Sequence, residues 1–508
     1  MSRTVNICWV CRVCWVLPFV VGAVACQRGL DADDGTSSQT AAVTAVERTG
    51  DEPPQDLDSA DDLDSTGLGN PFGPPQPGER TRKQRPDAEL RGILRDIDRR
   101  RLEDTIRTLV SFGTRHTLSS QTDPVRGIGA ATRWAKSQLD AIAARSGGRM
   151  TVELQSFVQA PGPRVPTPTT ITNVVATLRG STSPDRMYVV SGHIDSRVTD
   201  VLNADANAPG ADDDASGVAL VLELARVMST HRSEATIVFT IVAGEEQGLF
   251  GSAFQAAQYR AANADIQGMF SDDIVGASTA DDGTRDPHTI RLFTEGIPTT
   301  ETAAQANTRR LVGGEVDGPS RQLGRFVTMV AENPETDMRI RTIYRRDRFL
   351  RSSDHVSYLS QSYPAARFTE PNENFDHEHQ DVRVESGVQI GDLIQFVDFA
   401  FLSRVVKVNA AALWSLAQGP GTPKNVGVLT QALTNTTDLV WAANTEPDLD
   451  GYEVVWRETT DPDWTHAIPV GNVTSASFPH FSKDNVFFGV RAVDKTGHHS
   501  PVAFPVPQ

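Results

Sequence analysis

The stretch Ile237-Val238-Phe239-Thr240-Ile241-Val242, followed at once by Ala243-Gly244-Glu245-Glu246-Gln247-Gly248, decides the fold. The apolar run reads as a strand over residues 236–243. A burst of charge directly after such a run is unusual for simple solvation. Ionised carboxylates near a strand end must be paired or metal-bound if they are even partly buried. Working outward, residues 187–191 read as a strand and 217–228 as a helix, with a helix at 252–262 on the other side. Short strands follow at 269–270, 290–293 and 365–368, and a closing helical region at 384–417. Leu94, Ile97, Leu102, Ile106 and Leu109 suit amphipathic helices, and 130–144 reads as another. This alternation predicts an α/β domain over 89–418, with a central mixed sheet flanked by helices.

After Gly419 the pattern changes to short strands and turns carrying Trp441, Tyr452 and Trp456. Residues 419–508 resemble a fibronectin type III β-sandwich, in which these aromatics are core rather than a ligand site.

All four cysteines lie in the first 26 residues. The apolar stretch 7–25 after Arg3 reads as a secretory signal, and 1–26 as its full extent. Ala23-Val24-Ala25-Cys26 resembles the lipobox of bacterial lipoproteins, with Ala23 where a Leu is usual. A lipid anchor on Cys26 and an ordinary cleaved signal are the two readings. Both predict an exported protein, either secreted or held at the cell envelope facing the periplasm or exterior. Residues 27–88 are Asp-, Ser-, Gly- and Pro-rich and are expected to be a disordered tether. A net charge of −17 argues against nucleic acid as a partner.

Five segments carry the chemistry: Ser191-Gly192-His193-Ile194-Asp195-Ser196, Gly210-Ala211-Asp212-Asp213-Asp214-Ala215-Ser216-Gly217, the Glu245–Glu246 turn, Asp272-Asp273-Ile274-Val275-Gly276 and Asp376-His377-Glu378-His379-Gln380-Asp381. Each has a bland explanation alone, since Asp-rich loops cap helices and paired glutamates are usually solvated. Their joint placement at strand ends, where open α/β sheets hold ligands, favours a metal site. Imidazole with carboxylates and no thiolate suits zinc, with manganese and cobalt also compatible.

Together these motifs resemble the co-catalytic zinc aminopeptidase family, which includes bacterial leucyl aminopeptidase, aminopeptidase Y and glutamate carboxypeptidase. The resemblance runs over about residues 90–417, including Ser111-Phe112-Gly113-Thr114-Arg115-His116. It implies two Zn2+ ions held by His193, Glu246, Asp273 and His377, with Asp213 bridging. His377 is preferred to His379 because it stands four residues before Asp381, matching a His-x3-Asp ending. The resemblance also implies that Glu245 is the general base acting on a metal-bridging water, with Asp195 orienting His193. The implied activity is an exopeptidase, an aminopeptidase acting on peptides or proteins. Two further readings remain: a glutaminyl cyclase on the same fold, and a non-catalytic cell-surface binding protein.

Three expectations complete the reading. The arginines between Arg345 and Arg351 either bind a substrate carboxylate or form a solvated loop. His355 is expected to be structural. Residues 313–341 are expected to cover the site.

Overall fold

A computed structural model of the chain describes residues 77–508. The segment 1–26, the cysteines and the tether as far as residue 76 lie outside the described residues. An eight-stranded sheet forms the centre. Its strands are β1 (Met150–Gln159), β2 (Thr169–Leu178), β3 (Ser183–His193), β4 (Ala235–Val242), β5 (Asp265–Asp272), β6 (Thr289–Thr294), β7 (Arg339–Ile343) and β8 (Ala365–Thr369). They lie in the order β1-β2-β4-β3-β5-β8-β6-β7. β3 runs parallel to β4 and β5, and β5 to β8, while β1–β2, β2–β4 and β6–β8 are antiparallel. The sheet is therefore mixed, as expected.

Every residue of β4 is buried, because both faces of the sheet are covered. Side chains alternate between the two faces at the strand period. Tyr188, Val190, Ile237 and Phe239 join the larger core, with Leu102, Val218, Leu323 and Phe401 from helices. Val189, Val238 and Met269 point the other way, toward Tyr358 and Leu359. Helix Ala215–Met228 is buried almost all round, the signature of a core helix rather than a surface one. Its start can press against the end of β3 because both contacts are glycines. A Cβ on Gly192 would meet Gly217 carbon at 2.5 Å, and one on Gly217 would meet the Asp272 carbonyl at 2.1 Å.

Residues after Gly419, joined by the short strand Glu79–Arg80, form two four-stranded sheets whose side chains share one apolar cluster, including Leu439, Trp441, Tyr452, Trp456 and Phe488. The aromatics are core.

Three expectations need correction. The tether does not run to residue 88: Glu79–Arg80 pairs antiparallel with His466 and Ala467, and a helix capped by Asp87 starts at Ala88. The closing helix begins only at Phe399, because Arg383–Glu385 and Val388–Ile390 form a hairpin. Ser386 and Gly387 both take positive φ, 51° and 85°, which reverses the chain tightly where a helix would need negative φ. Nor does 313–341 cover the site. Its helix Pro319–Ala331 inserts Leu323, Phe326, Val327 and Val330 into the main core, so apolar burial makes it part of the body.

Candidate metal centre

The acidic segments converge at the carboxyl ends of β3, β4 and β5, as open α/β sheets require. Ligand-type atoms of His193, Glu245 and Asp273 lie within 4.8 Å of one another, and so do those of Asp213, Glu246 and His379. Asp213 joins the two groups. Its Oδ1 is 3.0 Å from His193 Nε2, and its Oδ2 is 2.8 Å from His379 Nε2. His379 Nε2 is also 3.2 Å from Glu246 Oε2, and His193 Nε2 is 3.8 Å from Asp273 Oδ1.

Asp272 turns away to accept a hydrogen bond from Asn409 Nδ2 at 2.7 Å, leaving Asp273 at the cluster. His377 also turns away, contrary to the sequence expectation. Its ring stacks on Phe396 with centroids 3.6 Å apart, which gives the imidazole an apolar partner outside the cluster. His379 takes the place assigned to His377. The His-x3-Asp spacing misled because Asn374 accepts the backbone N–H groups of both His377 and Glu378, and that turn carries the chain round to present the later histidine.

Asp195 acts differently from the role assigned to it. The bond to His193 Nδ1 comes from the Asp195 backbone carbonyl at 3.0 Å, while the carboxylate stands 3.7 Å away. That carboxylate instead accepts from the Glu245 and Glu246 backbone N–H groups and from Thr117 Oγ1. It pins the glutamate turn to β3. Because Nδ1–H donates to a carbonyl, Nε2 of a neutral His193 carries its lone pair toward the carboxylates.

This arrangement fits a metal. His193 Nε2 is buried without a hydrogen-bond partner although a carboxylate oxygen stands 3.0 Å away, and Glu246 Oε1 is likewise buried and unpartnered. Buried polar atoms are rarely left so, and imidazole with carboxylates is a donor set for zinc. Burial opposes ionisation of Asp213, yet His379 and His193 hold its carboxyl well below the usual range. Burial raises Glu245 well above it, helped by Asp273, Asp354 and Glu246. Such crowding of acids needs cations close by.

The surrounding residues hold the loops in place. Asp214 caps the helix by accepting from Gly217 N–H at 2.8 Å, and its other oxygen accepts from His193 N–H at 2.8 Å. The Asp392 carboxylate accepts from the N–H groups of Asp212 and Asp213, at 2.8 Å each. Fully buried Arg115 donates to the carbonyls of Ile194, Pro209 and Gly210, tying the loop after His193 to the loop before Asp213. Burial lowers its pKa to about 10, well above neutrality, so the charge is kept. Arg367 stands 3.2 Å from Asp273 Oδ1 and 3.3 Å from Asp347. Asp392 and Arg367 had no sequence signal, because each contact spans a long loop. His355 is buried and bonds the Arg346 carbonyl, a structural role.

Residues 173–386 match the profile of peptidase family M28. A probable zinc metalloprotease of Pyricularia oryzae is 52% identical over 436 residues, covering 85% of this chain and 87% of that protein. One of Pyrenophora tritici-repentis is 51% identical over 426 residues, covering 84% and 88%. The Legionella pneumophila LapA aminopeptidase structure is more distant, at 20% identity and TM-score 0.45 over 65% of this chain and 75% of that one. Identity at this level over most of both chains, together with the profile match across the strand-end motifs, means that the chain belongs to peptidase family M28.

Proposed function

We propose that this M28 protein is a zinc metalloprotease of the exopeptidase type, using two zinc ions to hydrolyse the amino-terminal bond of peptides. The observation that carries the two-ion reading is Asp213, whose two oxygens face two histidines in separate ligand groups. His193 and Asp273 would hold one ion and Glu246 and His379 the other, with Asp213 between them. Zinc supplies Lewis acidity, polarising a carbonyl and making water nucleophilic near neutral pH.

The chain's own residues do the rest. Glu245 accepts the proton of the attacking water and delivers it to the departing amine. Asp195 holds the Glu245–Glu246 turn through both backbone N–H groups, so the base and its neighbour keep their places. Arg115 and Asp392 fix the loops that carry His193 and Asp213. The cleft over these groups holds about 240 Å³, below the roughly 300–1,000 Å³ of ordinary ligand pockets. Room of that size suits a chain end better than a folded loop. The ordered motif set supports the exopeptidase type, and the apolar segment 7–25 with Cys26 supports an exported location.

The test is hydrolysis of amino-acid anilides and amino-blocked peptides by the zinc-loaded protein. Release confined to free amino termini is expected. Cleavage of blocked peptides from the carboxyl end, or cyclisation of a glutaminyl substrate without anilide hydrolysis, would replace this reading.

A further inference from the structure

We propose that Arg164 and Arg348 form a carboxylate-binding subsite on the wall of the cleft, so that preferred substrates carry an anionic group close to the scissile bond. The proposal rests on the exopeptidase reading and names the substrate class of the same site. Four arginines line the cleft: Arg164, Arg197, Arg348 and Arg351. Their donors are not equally free.

Arg197 serves the metal centre: it donates through Nε to Glu246 Oε2 at 2.8 Å and through Nη1 to the Val198 carbonyl, and its Nη2 packs 2.6 Å from His379 Nδ1. Arg351 spends both terminal nitrogens on Glu373 and Glu378. Arg348 is held from behind, with Nε donating to Asp347 at 3.2 Å and Nη1 to Glu373 at 3.1 Å. Its Nη2 has no partner among the described residues. Arg164 is exposed and anchored through Nη1 to the Glu246 carbonyl at 2.9 Å. Its Nε and Nη2 have no partner among the described residues.

Each of these two guanidiniums is thus fixed at one edge and open at the other. That is a pre-organised receptor for a planar anion, since little side-chain freedom remains to be lost on binding. Charge points the same way. Along this wall Arg164, Arg197, Arg291, Arg348 and Arg351 face the acids Asp347, Glu373 and Glu378, five cations against three acids. On the floor, two divalent ions would match the carboxylates of Asp213, Glu245, Glu246 and Asp273, leaving the arginine charge to the substrate. Leu249, Ile274 and Leu350 supply the apolar remainder of the lining and cannot neutralise it. A carboxylate suits the guanidinium fork best, and it has two sources: the free carboxyl terminus of a short peptide, or an acidic side chain.

The experiment compares Leu-Gly, Leu-Glu-amide and Leu-Gly-amide as substrates of the full-length zinc-loaded protein. Calorimetric binding of N-acetylglutamate and N-acetylglutaminamide gives a readout independent of turnover. At least one carboxylate-bearing peptide should exceed Leu-Gly-amide in kcat/KM by roughly tenfold or more. Arg348→Gln and Arg164→Gln should erase that advantage by raising KM, with kcat on Leu-Gly-amide and zinc content unchanged. Arg348→Lys, which keeps the charge but not the fork, should fall between. Leu-Gly responding identifies the chain terminus, and Leu-Glu-amide the side chain. N-acetylglutamate should bind more tightly than N-acetylglutaminamide, which has no carboxylate, and only in the parent protein. Equal use of all three peptides, or variants that slow all three alike, would overturn the subsite. If no peptide is cleaved, the exopeptidase reading fails, and the calorimetry still decides whether the arginines select a carboxylate.

Discussion

Buried acids occur in two regions of this molecule, and the regions treat them in opposite ways. Where the C-terminal sheets meet the α/β body, each buried acid has its own cation. Asp317 binds both Arg325 and Arg457 and Glu446 binds Arg186, while half-buried Glu453 pairs with Arg491 across two strands of one C-terminal sheet. Under the cleft, Asp213, Glu245, Glu246 and Asp273 crowd together around two arginine contacts, Arg197 at Glu246 and Arg367 at Asp273, with Glu246 Oε1 still buried and unpartnered. The same residue type closes a joint in one place and stores negative potential in the other. Paired charges favour a fixed packing. Crowded ones become stable only when cations arrive, and this links folding of the site to metal binding.

The comparison can be broken most severely at the base. Glu245→Gln removes the proton acceptor and should lower kcat by about 10²–10⁴-fold. Zinc content, measured by atomic absorption, should stay near the parent value, because Glu245 is not among the residues assigned to hold the ions. Loss of zinc in this variant would make Glu245 a ligand and undo the assignment.

At the joint, Asp317→Ala leaves Arg325 and Arg457 facing each other without an acid. Breaking a buried pair in this way should cost about 3–5 kcal/mol, read by urea unfolding. A change below about 1 kcal/mol would show that the joint is wet and the contrast between the regions is false.

The two neighbouring histidines sharpen the site itself. His379→Ala should reduce bound zinc and activity together. His377→Ala should keep both and lose only its stacking on Phe396, worth about 0.5–1.5 kcal/mol in a stability measurement. The reverse pattern would restore the spacing-based assignment.

The smallest effect concerns acid. In the C-terminal sheets, burial works against ionisation of Glu453 and Asp494. Hydrogen bonds from His499 and Arg491, and from His498 and Thr496, nevertheless hold the two carboxyls at about 2. Both folded values lie below the ordinary carboxylate values of about 4. Their contribution to stability is therefore complete above about pH 4 and lost as pH falls toward 2. Denaturant midpoints should be flat from pH 7 to 5 with respect to these two groups and fall below pH 4. Glu453→Gln should flatten part of that fall.

Much of the site was legible in the sequence. The apolar run of β4 and the charge after it read as a buried strand ending at a polar site, and the resemblance's Asp-hydrophobic-hydrophobic-Gly pattern pointed to Asp273 over Asp272. The pieces that escaped were those set by loops. Asp392 reaches the Asp212 and Asp213 amides across 180 residues or nearly so, and no local pattern marks such a contact. The hairpin after Arg383 was hidden because Val384, Val388 and Ile390 are apolar enough to extend a helical pattern, while the Ser386–Gly387 turn forbids one.

By itself, then, the order of residues determined which chemical groups would stand at the ends of β3, β4 and β5, because strand alternation and strand length leave few alternatives. Only the tertiary structure decided which of two histidines on one turn faces Asp213, which atom of Asp195 holds His193, and which arginines keep unused donors over the cleft. Those choices depend on directions in space between segments far apart in the chain, and spacing along a sequence does not encode a direction once a loop intervenes.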